Sequence, residues 1–155
     1  MPPKKSMKKF LSLCPGIFAI YCCMAQNPVT WNYSAKKISK NVYEVHLKAK
    51  IQNGWHLYSQ KQGEDFLGTP TKVKFAKHPL VVVSGKPAEV GELEKSKDPV
   101  LNIESAYYSS EVDFVQTITI HDKIKTTING SIQFQACTNE KCLPPASVSF
   151  SVAIN

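Results

Sequence analysis

The sequence contains no arginine; all 19 of its basic residues are lysine. Arginine is the side chain best suited to bidentate phosphate and guanine contacts, so its absence argues against a nucleic-acid partner. Cysteine is nearly as scarce. Of five cysteines, Cys14, Cys22 and Cys23 crowd into the first 25 positions. Only Cys137 and Cys142 lie beyond them. After the N-terminal segment no apolar run approaches the roughly 20 residues that a spanning helix needs. No stretch holds a helical period over three turns. Metal-binding spacing is also missing. Two cysteines with four residues between them lack a C-x₂₋₄-C…H-x₃₋₅-H pattern, and His46, His78 and His121 fall in unrelated segments. No Ser-His-Asp order, nucleotide loop or carboxylate pair stands out. These absences leave neither a metal nor an organic cofactor to expect, and no small-molecule ligand.

The first 25 residues read as a secretory signal peptide. Lys4, Lys5, Lys8 and Lys9 supply a positive start, Phe10 to Cys23 a short apolar core, and Cys23-Met24-Ala25 small residues before a cut ahead of Gln26. Acylation at Cys22 or Cys23 is the weaker alternative, because Tyr21 or Cys22 would stand where a small residue is normally required. Export places the remaining thiols where disulfides form and persist. Residues 26–155 make one domain, large enough to fold on its core without disulfides. Loss of the four leader lysines takes the formal charge from +7 to about +3. Lysines in alternation, such as Lys48 and Lys50 or Lys72 and Lys74, read as solvated sheet faces.

The dominant period is two. Val45, Leu47, Ala49 and Ile51 alternate with His46, Lys48 and Lys50. Val112, Phe114, Ile118 and Ile120 share a face, as do Ile132, Phe134 and Ala136, and Val148, Phe150, Val152 and Ile154. Shorter strands are expected at Val29–Tyr33, Lys72–Ala76 and Leu80–Val83. Turns are expected at Asn53-Gly54, Gly68-Thr-Pro70, Ser84-Gly85, Asn129-Gly130 and Pro144-Pro145. Lys86 to Pro99 reads as a surface connection. Roughly seven strands with short turns predict an all-β protein, an antiparallel β-sandwich.

The surviving cysteines lie five positions apart in Phe134-Gln-Ala-Cys-Thr-Asn-Glu-Lys-Cys-Leu-Pro-Pro145. Closing a loop of about six residues stabilises a fold by only about 2 kcal/mol, against nearly 5 for a hundred-residue loop. Two readings stand. The pair can be exchange chemistry, opening and closing with little effect on the fold, or it can be a local hairpin clip in an exported binding or adaptor module. Lys141 beside Cys142 favours a thiolate there, and Glu140 opposes it.

The run Gln135-Ala-Cys-Thr-Asn-Glu-Lys-Cys-Leu-Pro-Pro145 resembles the active-site loop of the N-terminal periplasmic domain of the thiol:disulfide interchange protein DsbD. Ile51-Gln-Asn-Gly-Trp-His-Leu-Tyr58 is similar to that family's strand-Gly-aromatic-Tyr segment. Glu104-Ser-Ala-Tyr-Tyr108 resembles the loop that caps the disulfide there. The resemblance implies an immunoglobulin-like sandwich that takes electrons from a thioredoxin-like partner and hands them to other exported thiol proteins. It implies that Cys142 forms the mixed disulfide and Cys137 resolves it. Tyr58 and His56, the latter in place of a common aromatic, would line the site, and Tyr107 or Tyr108 would shield it. Ser105-Ala106 replace acidic residues before the cap aromatic, leaving Glu104 as the nearest acid. Family members usually continue into a membrane electron conduit and a thioredoxin domain; here these partners are expected on separate chains.

Overall fold

The computed structural model describes residues 27–121 and 125–155. The expected signal peptide and cleavage site, with Cys14, Cys22 and Cys23, lie outside the described residues. Within them every regular element is a strand: β1 (Val29–Lys37), β2 (Val42–Ile51), β3 (His56–Tyr58), β4 (Lys72–Phe75), β5 (Val81–Val83), β6 (Ala88–Gly91), β7 (Glu94–Lys97), β8 (Glu104–Tyr108), β9 (Glu111–Ile120), β10 (Thr126–Phe134), β11 (Ala136–Cys137) and β12 (Ala146–Ile154). All pairings between them are antiparallel. The protein is an immunoglobulin-like β-sandwich, as the sequence led us to expect.

One sheet runs β1-β2-β9-β5, with β6 pairing a different stretch of β9. The second runs β12-β10-β4, and a third, smaller sheet runs β11-β3-β8-β7. Strand alternation builds the core between them. Val45, Leu47 and Ala49 of β2 face inward with Val112, Phe114, Ile118 and Ile120 of β9. They meet Ile128, Ile132 and Phe134 of β10 and Phe150, Val152 and Ile154 of β12. Trp31 bridges the layers, its ring 5.9 Å from Phe114 and 5.4 Å from Phe134. Gln116 shares the buried face of β9, where its Nε2 donates to the Ser84 carbonyl at 2.7 Å. Val148, grouped with the buried residues of its strand by period, is only half-buried.

Three expectations are corrected. Asn129-Gly130 is no turn but the middle of β10. A Cβ at Gly130 would collide with the Lys74 carbonyl oxygen and the Phe150 ring, so the glycine admits a close crossing of strands. The connection Lys86 to Pro99 contains β6 and β7. Every residue of β7 is exposed, so it lacks the alternation that reveals a half-buried strand. Glu104–Tyr108 is likewise a strand, β8, rather than a loop; it pairs β7 on one side and β3 on the other. Between them, β7 and β8 extend the small sheet that carries the cysteines.

Candidate functional site

The chain passes from the core into the site at Gln135. Phe134 ends β10 in the second sheet, and Ala136 begins β11 in the third. Ala136 points into the core opposite Leu57, while Cys137 pairs with His56. A tight hairpin follows. Thr138 N donates to the Lys141 carbonyl at 2.7 Å, and Leu143 N to the Ala136 carbonyl at 2.9 Å. Cys137 and Cys142 face each other between those two bonds, at the non-hydrogen-bonded position where antiparallel strands bring Cα atoms closest. Their Cα atoms are 4.0 Å apart, and the sulfurs are bonded. Thr138 Oγ1 accepts from Glu140 N at 3.2 Å and Lys141 N at 3.1 Å, stiffening the turn. Gln135 ties the hairpin down: its Nε2 donates to the Leu143 carbonyl at 3.1 Å and its Oε1 accepts from Thr69 N at 2.9 Å.

The two sulfurs differ in access. Cys137 is 0% exposed, whereas Cys142 stands on the surface. The Tyr58 hydroxyl lies 3.9 Å from Cys142 Sγ, the outer reach of an O–H···S contact. His56 packs 4.6 Å from the Tyr107 ring and 5.4 Å from the Tyr58 ring. Burial lowers the His56 pKa, partly offset by the negative charge of Glu94. Burial raises that of Tyr58. Alternation along the small sheet therefore gathers Cys137, His56, Tyr58 and Tyr107 on one face.

The other two residues singled out in the sequence are elsewhere. Tyr108 is 2% exposed and lies on the core side of β8. Its hydroxyl donates to Glu89 at 3.1 Å, and burial, reinforced by the Glu89 charge, holds its pKa far above the usual tyrosine range. Glu104 is exposed and paired with Lys95 at 2.8 Å; the Lys95 hydrogen bond holds its pKa below the usual carboxylate range.

Some participants were missed. Phe66 stacks edge-on against Tyr58 at 4.7 Å. Gly68 makes that possible, since a Cβ there would sit 2.5 Å from Phe66 Cζ and 3.0 Å from Tyr58 Cε2. On the far side, Asp98 accepts backbone hydrogen bonds from Val100 at 2.8 Å and Leu101 at 2.7 Å, and Asn102 takes a positive φ of 61°. This turn presents Leu101, 58% exposed. A cavity of about 440 Å³ lies between the two segments, lined by His56, Tyr58, Phe66, Leu101, Tyr107 and Asn139 among others. The available signal was an apolar pair, Phe66-Leu67, set inside a segment bounded by Gly and Pro.

No curated protein matches the sequence. The DsbD N-terminal domain of Neisseria meningitidis in its reduced form superposes with a TM-score of 0.51 at 17% identity, over 81% of this chain and 86% of that one. A complex between the DsbD N-terminal and PilB N-terminal domains of Neisseria meningitidis gives 0.51 at 16% identity, covering 79% and 80%. The N-terminal periplasmic domain of ScsB from Proteus mirabilis gives 0.49 at 19%, covering 79% and 44%. At these identities the likeness is one of fold. The family model of the thiol:disulfide interchange protein DsbD, N-terminal, matches residues 24–154, and the chain belongs to that family.

Proposed function

We propose that this domain is exported to the periplasm and exchanges disulfides with thioredoxin-like proteins through Cys137 and Cys142. The observation that carries the reading is the asymmetry of the pair: a surface sulfur at Cys142 and a buried one at Cys137, closed by a short hairpin. A partner thiolate can approach only the exposed sulfur, which makes Cys142 the site of the mixed disulfide and Cys137 the resolving thiol. The face formed by His56, Tyr58, Phe66 and Leu101 is where the partner docks. Burial keeps Cys137 from stray oxidants between encounters. Electrons arrive from a thioredoxin-like donor supplied in turn by a membrane conduit. The DsbD–PilB complex, an assembly of a structural relative, supports a protein rather than a small molecule as the partner.

The test is the reduction potential of the pair, measured by equilibration with thioredoxin or glutathione buffers and thiol alkylation. A value between about −180 and −270 mV is expected, the range of exchange proteins. In the same assay Cys137→Ser should trap a mixed disulfide on Cys142, and Cys142→Ser should trap none. A pair that stays oxidised below about −300 mV is a structural clip, and the interchange reading then fails.

A further inference from the structure

When a thiolate attacks Cys142, the electron pair of the broken S–S bond passes to Cys137. That sulfur is 0% exposed. A thiolate shut away from water is costly, and solvent cannot readily bring it a proton. The protein must supply one. Tyr58 is poorly placed for this, since its hydroxyl sits by Cys142 at 3.9 Å, and burial makes it a still weaker acid. The residue directly across the ladder from Cys137 is His56. Opposed residues of an antiparallel pair hold their Cβ atoms about 4.5–5.5 Å apart on the same face.

Two of the other histidines are engaged elsewhere, and His121 lies exposed just past the end of β9. His46 Nδ1 is held by Asp113 at 2.7 Å. His78 meets Leu80 N at 3.2 Å and Thr126 Oγ1 at 3.0 Å. Among the described residues, His56 instead has rings against it: Tyr107 at 4.6 Å and Tyr58 at 5.4 Å. Aromatic packing fixes the imidazole without occupying its nitrogens.

We propose that His56 carries the proton of Cys137, giving it up as the disulfide opens and taking it back as the disulfide closes. The assignment rests on the interchange reading above. On reduction, the partner's thiolate bonds to Cys142 Sγ, the Cys137–Cys142 bond breaks, and Cys137 leaves with both electrons. Protonated His56 transfers its proton to that sulfur. The partner's second thiolate then releases Cys142 as a thiolate exposed to water. On oxidation, the Cys142 thiolate attacks an acceptor disulfide, breaking its S–S bond and releasing the first acceptor thiolate. Neutral His56 draws the proton from Cys137, which attacks Cys142 Sγ and expels the second acceptor thiolate. Two electrons enter and two leave, and the imidazole ends as it began.

The groups around His56 are consistent with that role. Tyr58 comes from its own strand, Cys137 from β11 and Tyr107 from β8. Glu94, the ladder partner of Tyr107, comes from β7, and Lys97 and Asp98 line the same cavity. Burial outweighs the Glu94 charge and sets the imidazole pKa below its ordinary value. At neutral pH the ring is therefore the base that closing requires, and the opening step quickens as pH falls.

The experiment follows reduction of the oxidised domain by dithiothreitol between about pH 5 and 8, with rates normalised to the dithiothreitol thiolate. Wild type should show a normalised rate that rises as pH falls. His56→Phe, which preserves the packing, and His56→Gln should both give a flat profile and a rate about 100-fold lower at the acid end. His46→Gln should keep the wild-type curve. Urea unfolding confirms that each variant is folded. If either folded His56 variant retains the pH-dependent rise, the proposal is overturned. The thioredoxin equilibration above fails separately: a pair that ignores thioredoxin while the dithiothreitol profile still depends on His56 removes the interchange reading and leaves the proton role standing.

Discussion

On the outer face of the β2–β9 pair, side chains meet as charges. His46 Nδ1 lies 2.7 Å from Asp113 Oδ2, and Lys48 Nζ lies 2.9 Å from Glu111 Oε1. On the outer face of the β3–β8 pair they meet as rings, with Tyr58 opposite Tyr107 and His56 packed against both. Each face belongs to a sheet whose other side is core. The first is what water asks of a half-buried sheet. The second is not needed for folding, because Leu57 and Tyr108 already supply the buried side of the small sheet. A surface that gathers rings and Leu101 beside an exposed sulfur is the one on which the proposed partner would dock. Stability should therefore reside in the large sheets and reactivity in the small one.

The strongest way to break that division is to damage the body. Phe114 is fully buried and stacks on Trp31. Phe114→Ala should cost about 3–5 kcal/mol in urea unfolding. At urea concentrations where the variant remains folded, its dithiothreitol reduction rate should match wild type. A loss under about 1 kcal/mol would show that the core is not organised around β9.

A smaller effect is expected from the site itself. Opening the Cys137–Cys142 bond releases a loop spanning a sequence separation of five. Such a loop changes stability by about 2 kcal/mol in the chain-entropy model. Comparing unfolding of the oxidised domain with that of the reduced and alkylated domain measures it. A loss matching that of Phe114→Ala would make the disulfide a staple of the whole sandwich and erase the contrast between the two regions.

The same division explains what could be read from the residues alone. The long strands β2, β9, β10 and β12 bury one face and expose the other, so period two found them. The cysteine hairpin was legible because chemistry restricts its residues. Asn129-Gly130 misled because glycine marks close approach as readily as a turn, and which of the two holds depends on Phe150, some 20 residues away in sequence. β7 was invisible because nothing in it is buried. The separation of Tyr107 from Tyr108 follows from strand parity, and it emerges only once Glu104–Tyr108 is known to be a strand. Phe66 reaches Tyr58 through a loop whose path is set by the Thr69–Gln135 bond, a contact between segments far apart in the chain.

The least effect should come from the charged face, where it sharpens the comparison most. Lys48 and Glu111 make a pair at 2.9 Å with both side chains about half exposed, 47% and 55%. Exposed pairs hold two mobile side chains against solvent and salt, and double-mutant cycles on them give about 0.2–1 kcal/mol. The cycle through Lys48→Ala and Glu111→Ala should fall in that range by urea unfolding and shrink as salt is raised. Neither variant should alter the rate at which dithiothreitol opens the disulfide, because the pair lies on a different sheet from the cysteines. A coupling above about 2 kcal/mol, or a changed reduction rate, would mean that the charged face communicates with the site. The aromatic face would then have to be understood together with the rest of the sandwich rather than as a separate surface.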